Sequence, residues 1–132
     1  YGYKIDYNGK TVVISGDTKY SKILLEHSRG ADVLIHEAVN RPMMKQIAQS
    51  LELHNAPVDP ARIEKIVSVH TPTDELASLA QEADVRTLVV THLIPPIPAV
   101  SLAEDAFTKG MGDRFGGELV VARDGMRINL VK

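Results

Sequence analysis

The stretch VVISGDTKYS, residues 12–21, decides how the rest of the chain is read. Val12, Val13 and Ile14 are apolar and β-branched, the composition of a buried strand. Ser15-Gly16-Asp17-Thr18 follows at once, and Gly-Asp is ordinary turn chemistry. A buried strand has no use for a carboxylate at its tip. Asp17 therefore has two readings: it caps the element that follows, or it is aimed at a metal or a substrate.

Upstream, Tyr1, Tyr3, Ile5 and Tyr7 alternate with Gly2, Lys4 and Asp6, and Asn8-Gly9 separates this run from Val12. That pattern predicts a hairpin with a type I′ turn. Downstream, Ile23, Leu24, Leu25 and a closing Gly30 predict a short helix. Val33 to Ile35 form a short apolar strand ending in His36-Glu37. Met43, Met44, Ile47, Ala48 and Leu51 share one helical face across residues 40–53. The segment HNAPVDP, residues 54–60, breaks that helix, and Asp59-Pro60 opens another carrying Ile63, Ile66 and Val67. Thr71, Pro72 and Asp74 predict the N-cap, N1 and N3 positions of a third, with Leu76, Leu79 and Ala80 on its buried face. Leu88, Val89 and Val90 form a buried strand that ends at Thr91-His92 before a proline-rich loop. Ser101 and Glu104 predict a capping box. The chain closes with an expected hairpin about Asp124-Gly125. The order β-β-α-β-α-α-α-β-α-β-β places the chain in the α/β class, as one domain over residues 1–132.

Composition narrows the function. The 132 residues suffice for one domain with a core, and the net charge of −2 gives no basic footprint for purely electrostatic nucleic-acid binding. The absence of cysteine excludes disulfides and thiolate metal sites. No apolar run reaches membrane-spanning length and no signal peptide is visible, so a soluble, cytoplasmic protein is the favoured expectation. The chain begins at Tyr1 rather than Met, so a processed form or a piece of a longer protein is expected.

Three apolar strands share one habit: they deliver Asp17, the pair His36-Glu37, and His92. Ligand sites in open α/β sheets lie beyond the carboxyl ends of strands. If the strands are neighbours, carboxylate and imidazole converge as ligands suited to Zn²⁺, Mn²⁺ or Fe. The structural alternatives are a turn or cap for Asp17, a satisfied histidine for His92, and a strand end for His36, which is the reading favoured there. His27 and His54 are read as surface residues. His70 precedes a Thr-Pro helix start, beside free N–H groups suited to an anion, or is simply the residue before the cap.

Taken in order, Ser15-Gly16-Asp17-Thr18, His36-Glu37-Ala38, His70-Thr71 and Thr91-His92 resemble landmarks of the C-terminal half of metallo-β-lactamase-fold hydrolases. The branch most similar contains ribonuclease Z and the arylsulfatase-like hydrolases. The resemblance implies the C-terminal half of a four-layer αββα sandwich. It also implies that Asp17 bridges two divalent metal ions, zinc being favoured over manganese or iron, and that His92 binds one of them. Glu37 and His70 would be the acid–imidazole pair that assists the leaving group. Val39 stands where ribonuclease Z usually has threonine after His-Glu-Ala, and His70-Thr71-Pro72-Thr73 replaces its His-Ser-Thr-like motif. The principal metal motif, His-x-His-x-Asp-His, does not occur.

The expected function is therefore part of a metal-dependent hydrolase acting on an anionic ester, a phosphodiester or sulfate ester, inactive without the other ligands. The alternatives are a ribonuclease Z-type tRNA 3′-processing endonuclease and a non-catalytic binding or assembly module that relies on Lys109, Arg114, Arg123 and Arg127. A flavodoxin-like domain is disfavoured, because no Gly-rich phosphate loop follows a strand. The expected partners are the N-terminal half of the same fold, a small anionic ester or RNA, and a second copy in a homo-oligomer, with no membrane. A half-sandwich alone is expected to expose apolar strand residues 12–14, 33–35 and 88–90.

Overall fold

Strands β1 (Tyr3–Tyr7) and β2 (Lys10–Ile14) form the antiparallel hairpin that the Asn8-Gly9 pair predicts. Both turn residues have positive φ, 49° and 73°, as a type I′ turn requires. The computed structural model describes residues 1–54, 56 and 59–130. Asn55, Pro57 and Val58, part of the expected helix break, lie outside the described residues. So do residues 131–132.

After β2 the chain crosses through α1 (Lys22–Ser28) to β3 (Val33–Val39), which lies parallel to β2. Ser21 caps α1, its hydroxyl accepting from the Leu24 N–H at 3.3 Å. Asp17 is therefore not the cap. Next come α2 (Arg41–Leu53), α3 (Pro60–Val69) and α4 (Thr73–Glu82), then β4 (Thr87–Ile94), α5 (Ser101–Phe107) and β5 (Glu118–Val121). The sheet runs β1-β2-β3-β4-β5, with β2 to β5 parallel. Among the described residues no helix is long and apolar enough to cross a membrane.

Alternation along the strands places Val13, Leu34, Leu88 and Leu119 on one face. There they pack with Leu76, Ala77, Leu79 and Ala80 of α4 and with Phe107, Met111 and Phe115. The opposite face carries Val12, Ile14, Ile35 and Val120, all half-buried, with Tyr3, Ile5 and Tyr7 exposed at the β1 edge. The expected opening of the central strands is thus only partial. Val13, Val33, Leu34, Leu88, Val89 and Val90 are buried, and the exposed apolar residues of the sheet, Tyr3, Ile5 and Tyr7, sit on β1 instead.

At the N-terminal ends of the strands, Asp32 accepts from the Lys10 ammonium at 3.0 Å and the Thr11 N–H at 2.9 Å, with Arg86 at 3.3 Å. The Thr11 N–H, then Lys10, holds this carboxyl below the usual carboxylate range. The clamp ties β2 to the residues that open β3 and β4.

Four expectations are corrected. β3 does not stop at Ile35 and β4 does not stop at His92; both continue, to Val39 and Ile94. Thr71 is not the α4 cap. Pro72 occupies that position without a side-chain bond, because the Thr71 N–H and hydroxyl are engaged by Glu37 and Thr18. No capping box forms at α5, since the Glu104 carboxylate is held by Arg123 at 2.8 and 2.9 Å. The closing hairpin is absent among the described residues. The chain turns at Asp124-Gly125, but no strand follows β5, whose continuation is drawn to α5 by the same Glu104–Arg123 pair.

Leu88 is fully buried and Leu102 is 82% exposed. Leu88→Ala is expected to lower unfolding free energy by about 2–5 kcal/mol in urea melts, against less than ~0.5 kcal/mol for Leu102→Ala.

Candidate metal and acid–base site

Three backbone features deliver the candidate residues to the carboxyl ends of β2, β3 and β4. Gly16 has φ 65°, and a Cβ there would meet the Tyr1 carbonyl at 2.6 Å, so only glycine suits the turn that leads out to Asp17. In the β3–β4 ladder Glu37 pairs with Thr91 and Ala38 with Leu93. His92 is the extra residue between them, a bulge with φ 42°. Bulges re-aim side chains beside functional sites, and a left-handed non-glycine residue is held only by its surroundings. His70 ends α3 in an extended conformation, φ −116° and ψ 161°, directly before the turn into α4.

The structure brings all four residues named from sequence together. His92 Nδ1 lies 3.4 Å from Asp17 Oδ1, with the two side chains 50% and 66% exposed. His70 Nδ1 lies 3.1 Å from Glu37 Oε2. The His70 and His92 rings are 5.5 Å apart, centroid to centroid, and tilted by 45°. His27 and His54 are exposed, as expected.

Glu37 is only 1% exposed. Burial pushes its carboxyl up, opposed by the Thr71 backbone N–H and by His70. The Thr71 N–H donates to Oε1 at 2.8 Å, and the Thr71 hydroxyl donates to the Thr18 carbonyl at 2.8 Å. Thr71 thus connects β3, the start of α4 and the Asp17 turn, a role that its resemblance to a helix cap hid.

Two groupings could hold a cation. One ligand atom each from Glu37, His70 and His92 lies within 4.8 Å of the others. Both Glu37 oxygens, however, already accept N–H donors. Asp17 and His92 have outward-facing, solvent-accessible donor atoms and form the hard carboxylate–imidazole pair suited to zinc or manganese. A cleft of about 470 Å³ adjoins Asp17, lined also by Tyr3, Ser15, Thr18 and His27.

His36 escaped the sequence reading. It is not at a strand end but fully buried within β3. Its Nδ1 lies 2.6 Å from the Glu37 carbonyl, and burial pulls its imidazole down to about 4.

No protein-family model matches the chain. It is 30% identical over 129 residues to ribonuclease Z of Mycobacterium tuberculosis strain H37Rv, covering 98% of this chain and 42% of that protein. Ribonuclease Z of Mycobacterium marinum is 27% identical over the same length, with the same shares covered. The metallo-β-lactamase-fold protein YhfI of Bacillus subtilis superposes with a TM-score of 0.64 at 26% identity, over 96% of this chain and 42% of that one. The chain has the fold of part of a metallo-β-lactamase-fold protein. In sequence it is similar to the part of ribonuclease Z that these relatives share with it. The short form of human tRNase Z shares the fold, with a TM-score of 0.57 at 20% identity over 99% of this chain and 38% of that one. The chain spans about half the length, or less, of the curated relatives it matches.

The buried His36 gives a pH test. Its folded pKa, about 4, lies below the ~6.5 of an unfolded histidine, so the unfolded chain takes up the proton first. Its contribution is expected to be fully present above pH ~6.5, to fall by about 3 kcal/mol as the pH drops to ~4, and to level off below. Urea melts across this window should show that slope in the wild type and its loss in His36→Asn, the difference between the two isolating the imidazole.

Proposed function

We propose that this chain supplies Asp17, Glu37, His70 and His92 to the active site of a ribonuclease Z-type hydrolase that cleaves an RNA phosphodiester. The observation that carries this reading is a hydrogen-bonded Glu37–His70 pair beside an open Asp17–His92 pair. Relatives named ribonuclease Z support the RNA substrate over a small ester. At a net charge of −2, this chain does not itself supply a general grip on the phosphate backbone. The remainder of the fold provides it, together with the other metal ligands.

Asp17 and His92 are the residues that would hold divalent metal. Bound metal supplies Lewis acidity and an activated water. As the imidazolium, His70 hydrogen-bonds Glu37 through Nδ1–H, which fixes the ring, and gives its Nε2 proton to the departing oxygen, leaving the neutral Nδ1–H ring. Thr71 holds the other Glu37 oxygen, so the carboxylate cannot rotate away from His70. The N-terminal half of the fold covers the apolar face around Tyr3, Ile5, Val12 and Ile14, with a second copy of the chain as the alternative occupant.

The test uses the full-length protein. Elemental analysis should find bound divalent metal that Asp17→Asn loses and Glu37→Gln keeps. Glu37→Gln should lower kcat on a precursor tRNA by about 10²–10⁴-fold, and much less on a nitrophenyl phosphodiester, whose leaving group needs no proton. Equal losses on both substrates would make Glu37 structural. Turnover of aryl sulfates without RNA cleavage would move the assignment to a small-ester hydrolase. Absence of both metal and turnover would leave a binding module.

A further inference from the structure

Among the described residues, His36 is the buried titratable group that this chemistry leaves unused. It lies opposite Val90, on the helix-facing side of the sheet, and its Nε2 has no hydrogen-bond partner. Its Nδ1 faces the Glu37 carbonyl oxygen at 2.6 Å. A carbonyl only accepts, so Nδ1 carries the proton and Nε2 is a bare, buried acceptor without a partner. That arrangement is unfavourable, because a buried polar atom without a partner destabilises the fold. Phenylalanine would fill the same space without the penalty. What phenylalanine could not do is donate to the Glu37 carbonyl.

The position of this bond gives it a meaning. Glu37 is the last residue of β3 in register before the His92 bulge. Here the regular ladder no longer dictates the orientation of the peptide that follows Glu37. On the other side of the same residue, the carboxylate must meet two donors fixed on another element, the Thr71 N–H at 2.8 Å and His70 Nδ1 at 3.1 Å. Rotation of the Glu37 backbone would carry the carboxylate off both.

We propose that His36 is a positioning residue: its Nδ1–H locks the Glu37 carbonyl at the bulge and thereby aims the Glu37 carboxylate at His70 and Thr71. The proposal rests on the reading of Glu37–His70 as the acid pair, but its test involves no substrate. A failure here leaves the catalytic reading of that pair standing, and a failure of that reading leaves this geometry intact.

The experiment is NMR on the chain and two variants, His36→Phe and His36→Asn. Asparagine places an amide N–H close to where Nδ1–H lies. Two signals report the Glu37 carboxylate: hydrogen-exchange protection of the Thr71 amide, relative to the Leu88 amide in the core, and the His70 ring N–H resonance. In His36→Phe, Thr71 protection should fall by about tenfold relative to Leu88, and the His70 ring proton should be lost to exchange. His36→Asn should restore both. A uniform loss at Thr71 and Leu88, or no change in either signal, would reduce His36 to a packing residue and overturn the proposal. Should His36→Phe fail to fold, the wild-type ring decides. Long-range ¹H–¹⁵N correlations must place the His36 proton on Nδ1, and His36→Asn must retain both signals; a proton on Nε2 overturns the assignment.

Discussion

A carboxylate removed from water organises the upper end of this molecule. Burial disfavours the charged form of Glu37, and nothing apolar can relieve that. Relief comes from two N–H donors at the α3–α4 junction, on His70 and Thr71. The junction must therefore approach β3 closely, and the Val39 N–H reaches the Thr71 carbonyl at 2.9 Å. Thr71 passes the constraint on, because its hydroxyl holds Thr18, next to Asp17. One unfavourable burial thus positions a strand end, a helix start and a turn.

The remaining site residues depend on departures from regular structure. His92 reaches the site because β4 holds one residue more than its partner strand at that point. Asp17 reaches it because Gly16 takes a conformation closed to other residues. Below Glu37, by contrast, the regular parts of the strands mainly pack. Chemistry and regularity are separated along each strand: hydrophobic ladder below, irregular delivery above.

Much of this was legible in the sequence. Asn8-Gly9 fixed the hairpin, apolar spacing found α1 to α4, apolar strands tipped with ligand-type residues pointed to Asp17, Glu37 and His92, and a Thr-Pro helix start pointed to His70, whose pairing with Glu37 came from the family resemblance. What escaped depends on partners distant in the chain. His36 and Glu37 looked like a strand end because polar residues usually lie outside a core. Their strand continues because Glu37 is satisfied by a residue 34 positions away. Thr71 looked like a cap because Thr-Pro usually is one, yet the local motif lost to Glu37 and Thr18. Ser101 and Glu104 spelled a capping box, but Arg123, 19 residues on, took the carboxylate. In each case a local pattern competed with a charge-assisted bond that only the folded chain brings within reach.

The Asp32 clamp has a consequence for how such a protein can change over time. It joins β2 to the starts of β3 and β4 at the end of the sheet away from Glu37. Asp32 and Glu37 lie five residue steps apart along extended chain, roughly 16 Å at strand spacing. Substitutions that far apart, with no shared partner, combine nearly additively. Drift in the turns around Asp17 and His92 therefore need not be matched by repair at the foundation, and stabilising changes around Asp32 can accumulate without moving Glu37. A lineage on this scaffold can vary its upper rim and its tolerance of temperature as two independent searches.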